Sequence, residues 1–133
     1  MCFFGKWLAP WYSGLAFSKF ANGQYQDAIR LFEKFIKLDP QTDRIHLIYS
    51  CLGRCYLALG QLNEALKTLN TAYELFLKQS QVFLKNEFEE REYREFLEAY
   101  SYVLRKFGQA EHAVEVEKKA KEVKVRDGSQ IVK

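Results

Sequence analysis

Two prolines and seven glycines in 133 residues leave little to interrupt regular structure. Proline removes a backbone donor and glycine weakens a helix wherever it falls inside one, so a chain with so few of both can be helical over most of its length. Three cysteines, an odd number without disulfide-like spacing, exclude a disulfide framework and fit reduced thiols in a cytoplasmic setting. A large charge of one sign is also missing. Lysine and arginine total 20 against 17 acidic residues, and the net charge of +3 is too mild to point to nucleic acid. What is abundant is apolar surface: 48% of residues are hydrophobic and 16% aromatic, which excludes disorder and supplies a core for one domain.

The first twelve residues, Met1-Cys-Phe-Phe-Gly-Lys-Trp-Leu-Ala-Pro-Trp-Tyr12, are unusually aromatic. They are too short to span a bilayer, with Lys6 and Pro10 interrupting them, and they lack the basic start, long apolar run and cleavage site of a secretory signal. Three readings are open. These aromatics pack on the first hairpin or across a contact between copies, they anchor weakly at a membrane surface, or they mark the edge of a longer protein.

Against the shortage of glycine, one pattern recurs: Gly23-Gln-Tyr-Gln-Asp-Ala28, Gly60-Gln-Leu-Asn-Glu-Ala65 and Gly108-Gln-Ala-Glu-His-Ala113. Each copy sits between two stretches with apolar residues at helical spacing. The physical reading is a helix ended by a glycine in the left-handed region, then a second helix whose alanine permits close packing. Both the glycines and the alanines are 37 residues apart between the first two copies and 48 between the last two, so the units keep internal phase while the spacers vary.

Pro10 suits a first helical turn, with Trp11, Leu15, Phe17 and Phe20 along the rest of that helix. Ala28, Ile29, Phe32, Phe35 and Ile36 stripe a second helix that Asp39-Pro40 stops. Thr42 or Asp43 can cap a third, carrying Ile45, Ile48, Tyr49, Leu52, Tyr56 and Leu59; its partner carries Leu62, Ala65, Leu66, Leu69, Ala72, Tyr73 and Phe76. Two long helices share the span from Gln61 to Phe107, with a break between Gln79 and Glu90 for which Ser80 and Asn86 both qualify. A last helix begins after Gly108. The pattern predicts an aromatic segment over residues 1–8, a helical repeat domain over 9–125 with units near 9–40, 43–79 and 87–125, and a frayed tail over 126–133.

These residues resemble the tetratricopeptide repeat. The middle unit carries the likeness best, with Tyr49-x-x-Leu52-Gly53-x-x-Tyr56 and then Gly60, Ala65, Leu69 and Ala72. The first unit reads Tyr12-x-x-Leu15-Ala16, then Gly23, Tyr25, Ala28, Phe32 and Pro40; it departs at Lys19 and Phe35. The third reads Leu97-x-x-Tyr100-Ser101-x-x-Leu104, then Gly108, Ala113 and Ala120, with Glu117 where a large apolar residue is usual. The resemblance implies an all-α fold of antiparallel helical hairpins stacked as a short right-handed superhelix, with Gly53 where the helices of a hairpin cross. It also implies a concave groove that binds another protein's peptide or helix, lined by the first helix of each pair. Mapped residue by residue, that groove holds Ser13 and Phe17, then Ser50, Arg54 and Leu57, then Glu98, Tyr102 and Arg105. The family's carboxylate clamp for chaperone tails does not fit these residues. Arg54 and Arg105 beside Phe17 and Tyr102 suit a partner of mixed apolar and acidic character.

Other features look like chemistry but read as structure. Cys51, Cys55 and His46 fall on one helix without a second cluster to complete a metal site, and buried cysteines pack helices well. His112 reads as a surface residue. Glu87 with Arg91 and Glu90 with Arg94 pair along a solvated face, and Lys118, Lys119, Lys121 and Lys124 alternate with glutamates that offset them. No phosphate-cradling loop or nucleophile motif is present, so the sequence predicts neither an enzyme nor a cofactor. The functions it favours are an interaction adaptor or scaffold, or a structural subunit that dimerises through the N-terminal aromatics. The hairpin reading makes a direct prediction. Gly60→Val places a β-branched side chain at a left-handed cap and should lower stability by more than about 1 kcal/mol in denaturant melts. A neutral result would mean that the turn is built differently.

Overall fold

A computed structural model describes the backbone of residues 2–78 and 87–132 and the side chains of residues 7–78 and 87–123. The described residues form six helices: α1 (Cys2–Ala21), α2 (Tyr25–Leu38), α3 (Ile45–Ala58), α4 (Leu62–Lys78), α5 (Glu87–Lys106) and α6 (Ala110–Val132). No strand occurs among the described residues. Ser80 and Asn86, the two candidates for the break before α5, lie outside them. The chain divides into two compact units, Met1–Lys78 with the first two hairpins and Gln79–Lys133 with the third. Contacts in helical arrays run chiefly between neighbouring elements, so such a chain can separate where the interval between hairpins is longest.

All three glycine turns are built alike. Gly23, Gly60 and Gly108 have φ of 78°, 77° and 78°. In each, the glycine N–H donates three residues back and the next residue, a glutamine, donates its N–H five residues back: Gly60 to Leu57 at 2.9 Å and Gln61 to Tyr56 at 2.9 Å, for example. This double bond pattern satisfies carbonyls that the helix end would otherwise leave unpaired. The same glutamine carbonyl then accepts the N–H of Ala28, Ala65 or Ala113 and opens the next helix.

In the first unit, α1 packs on α2, α3 on α4, and the second hairpin docks on the first through α3. One buried cluster runs through Ala16, Phe32, Phe35, Ile48, Leu52 and Cys55, so α3 belongs to both hairpins. The two helices of the second hairpin cross where a Cβ on Gly53 would lie 2.5 Å from Leu69 Cδ2 and 3.3 Å from its backbone nitrogen. Only glycine permits that approach. The matching pairs in register are Ala16 with Phe32 and Ser101 with Glu117. In the second unit, α5 packs on α6, with Phe96 stacked on Tyr100 at 5.8 Å and Tyr100 edge-on to His112 at 5.5 Å.

Several local readings change. Pro10 lies inside α1, which begins at Cys2 rather than near the proline. The proline removes only the bond to the carbonyl four residues earlier, and the helix continues on either side. Neither Thr42 nor Asp43 caps α3 with its side chain: Arg44 precedes the helix, and its N–H donates to Thr42 Oγ1 at 3.4 Å. His112 is half-buried against the Tyr100 ring instead of lying on the surface. The last helix runs to Val132.

Two measurements test this packing. Gly53→Ala gains helix propensity of up to about 1 kcal/mol but forces Leu69 and its backbone apart, so a net loss of roughly 1–2 kcal/mol is expected by urea denaturation. An unchanged midpoint would place the crossing elsewhere. Cys51 and Cys55 are buried thiols outside any disulfide, and burial pushes the Cys55 thiol up to about 12 although the Arg54 cation opposes the shift. Iodoacetamide at neutral pH should therefore leave both unlabelled in the native protein, as read by peptide mass spectrometry; rapid labelling of either would contradict the packing.

Candidate interaction surface

The groove residues inferred from the sequence fall on first helices of hairpins, and each has a definite setting. In the first unit, Phe17 on α1 is half-buried and meets Phe32 edge-on, with centroids 5.2 Å apart. Arg54 on α3 lays its guanidinium over the Phe20 ring, 4.9 Å from the centroid, a cation–π contact that ties α3 to α1. Leu57, one turn on, is half-buried. Ser50 is different: it is 1% exposed, and its hydroxyl has no hydrogen-bond partner. It therefore lies inside the packing rather than on a face offered to a ligand. Phe20, which is not among the groove residues inferred from the sequence, is the residue that positions Arg54; its adjacency to Lys19 at a usually aromatic position is the available signal.

In the second unit, Tyr102 is half-exposed with the Lys106 ammonium 5.3 Å from its ring centroid. Arg105 makes a two-pronged pair with Glu117, at 2.8 Å and 2.9 Å. These bonds hold the Glu117 carboxyl below the usual carboxylate range and raise the Arg105 guanidinium. Forty-eight residues earlier, the same two positions are Leu57 and Leu69. The third hairpin thus carries an ion pair where the second has two leucines, which explains the glutamate at a usually apolar site. The pair is exposed to solvent, so it fixes side-chain geometry more than it stabilises the fold. Any acidic ligand of Arg105 must compete with Glu117.

A second concavity, which no motif in the sequence marks, lies on the opposite side of α3, between α2 and α4. It encloses about 560 Å³ over Leu52 and is rimmed by Glu33, Lys37, Tyr56, Glu64 and Lys67. The Tyr56 hydroxyl donates to Glu33 Oε2 at 2.7 Å. Burial, that hydrogen bond and the nearby Glu33 and Glu64 charges all raise the phenol, which stays protonated. Glu33 and Lys37 are one turn apart on α2, as Glu64 and Lys67 nearly are on α4, so the rim is charged but balanced. Neither Tyr56 nor Cys55 is activated, and no described group combines a nucleophile with a base. Among the described residues, no cluster of three or more His, Cys, Asp or Glu is placed to hold a metal. His46 instead packs edge-on against Phe76, with centroids 4.7 Å apart. No described helix is long and apolar enough to cross a membrane.

The family model for the tetratricopeptide repeat matches residues 19–82. That span runs from the end of α1 through α4 and contains two of the three glycine turns. No curated protein matches the chain. Among solved structures, it is similar to crystal structures of a Podosopora anserina protein named for kinesin light chain and its nearly identical TPR-like repeats. A point variant of that protein aligns with a TM-score of 0.57 at 19% identity, over 90% of this chain and 56% of the other. A second crystal structure of those repeats aligns with a TM-score of 0.56 at 19% identity, over 91% and 57%. The chain thus spans little more than half the length of these neighbours, and at such identity the likeness concerns the fold alone. Residues 19–82 thus match the tetratricopeptide repeat in sequence, and the described helices share the helical-hairpin fold of TPR-like repeats.

Proposed function

We propose that this protein is an interaction scaffold whose α1–α3 face receives a peptide or helical segment of another protein. The observation that carries the reading is the Arg54 guanidinium held over Phe20, with Phe17 and Leu57 beside it in sequence register on the same two helices. A cation fixed on an aromatic ring has already lost much of its side-chain freedom, so recognition of a carboxylate costs less ordering. Apolar neighbours supply the desolvated contact that anchors most interfaces. The matching segment carries an acidic residue within a turn of an apolar one. Tyr102 and Arg105 occupy the positions of Arg54 and Leu57 in the third hairpin and repeat the same recognition chemistry there. Ser50 does not take part, because its hydroxyl is buried. Balanced charges and unactivated side chains support a role without catalysis.

Comparative affinity capture tests this directly. Proteins retained from native extract by the wild-type chain should be lost with Arg54→Glu, which reverses the charge at the face. Far-ultraviolet circular dichroism and melting temperature should stay close to wild type, since Arg54 lies outside the core. Retention of the same partners by the charge-reversed variant would remove the α1–α3 face from the proposal.

A further inference from the structure

The concavity between α2 and α4 carries charges in a definite order. Each of its two walls is a helix with one glutamate and, about a turn later, one lysine: Glu33 and Lys37 on α2, Glu64 and Lys67 on α4. Both walls are second helices of their hairpins, so α2 and α4 run in the same direction, with α3 reversed beneath them. Each lysine is therefore displaced from its glutamate toward the same end, by about 6 Å along α2 and about 4.5 Å along α4. Tyr56 marks the acidic end. Its hydroxyl donates to Glu33 Oε2 at 2.7 Å, and the Glu33 and Glu64 charges both act on the phenol. The lysines lie toward Tyr49, earlier on α3, and Thr71, later on α4. Between the two ends, Ile36 and the buried Leu52 form an apolar floor. A rim that is balanced in sum is thus polarised along its length.

We propose that this cavity is a docking site for the C-terminal lysine of another polypeptide. The ammonium lies between Glu33 and Glu64, the methylene stem runs over Leu52 and Ile36, and the terminal carboxylate meets Lys37 and Lys67. Charge complementarity selects this occupant. A cation and an anion joined by a short alkyl chain match both ends at once, whereas a ligand with charge of one sign is attracted at one end and repelled at the other. The lysine stem covers apolar surface while its head stays charged. Free lysine fits less well, because its α-ammonium would sit beside its carboxylate at the end that already holds two lysines. In a polypeptide that nitrogen is a neutral amide. The cavity of about 560 Å³ falls within the ~300–1,000 Å³ of small-ligand sites and admits a terminal residue. The bond from Tyr56 orients the Glu33 carboxylate through one oxygen before a ligand arrives. This site lies across α3 from Arg54, so it stands or falls independently of binding at the α1–α3 face.

Titration of the isotope-labelled full chain with the peptide acetyl-Ala-Ala-Lys, bearing a free terminal carboxylate, tests the site by amide NMR shifts. At low ionic strength the wild type should show saturable shifts at residues lining the cavity, with a Kd of about 1 mM. The C-terminal amide of that peptide lacks the anion, and the analogue with norleucine in place of lysine lacks the cation. Each should bind at least about fivefold more weakly. Paired variants assign the two ends. Lys37→Gln with Lys67→Gln should bind the acid and amide peptides alike, and Glu33→Gln with Glu64→Gln should bind the lysine and norleucine peptides alike. All four side chains are exposed, so circular dichroism should show the fold retained. A wild type that gives no saturable shift up to about 20 mM peptide would overturn the proposal, as would equal affinity for acid and amide. Shifts centred on Phe17 and Arg54 would move the lysine to the α1–α3 face and also overturn it.

Discussion

A helix with one apolar stripe can bury it only if the chain turns back sharply enough to lay a second stripe against the first. Here that reversal rests on a glycine at φ near +78° between the helices of each hairpin. A side chain at this position would add strain at each turn, and the paired N–H bonds that close the helix end would be harder to hold. The turn also sets the phase of the returning helix. The glutamine after each glycine opens that helix, placing Ala28, Ala65 and Ala113 at the same point of its stripe.

From that phase comes the packing. Ala16 with Phe32, Gly53 with Leu69 and Ser101 with Glu117 form one structural position with three chemical solutions. In the second hairpin the backbone approach is close enough to require glycine. In the third, the leucine pair Leu57 and Leu69 becomes the ion pair Arg105 and Glu117. A position that is core in one unit can thus be a solvated contact in another without altering the hairpin, because the backbone geometry is set at the turn.

The repeat also separates two kinds of surface. The α1–α3 face carries side chains tied down by contacts within the chain, notably Arg54 on Phe20, and such preorganised groups suit recognition of a specific segment. The outer face of α1 carries large exposed rings, at a position that is closed one repeat later. A helical array resolves its interior by repetition, and here equivalent positions on α1 and α3 differ because α3 packs on the preceding hairpin.

Much of this was legible in the chain itself. Three glycines in constant phase with three alanines determined the turns, and apolar residues at three- and four-residue spacing determined the six helices, because both depend on local backbone geometry. The tertiary structure alone decided which side chains face outward. Ser50 is polar, but at its position on α3 it is buried. Glu117 fits no local pattern, but Arg105 twelve residues earlier reaches it across the hairpin. Trp11 and Ile48 are equivalent in sequence register and opposite in exposure, since burial depends on what lies across the joint rather than on the residue or its spacing.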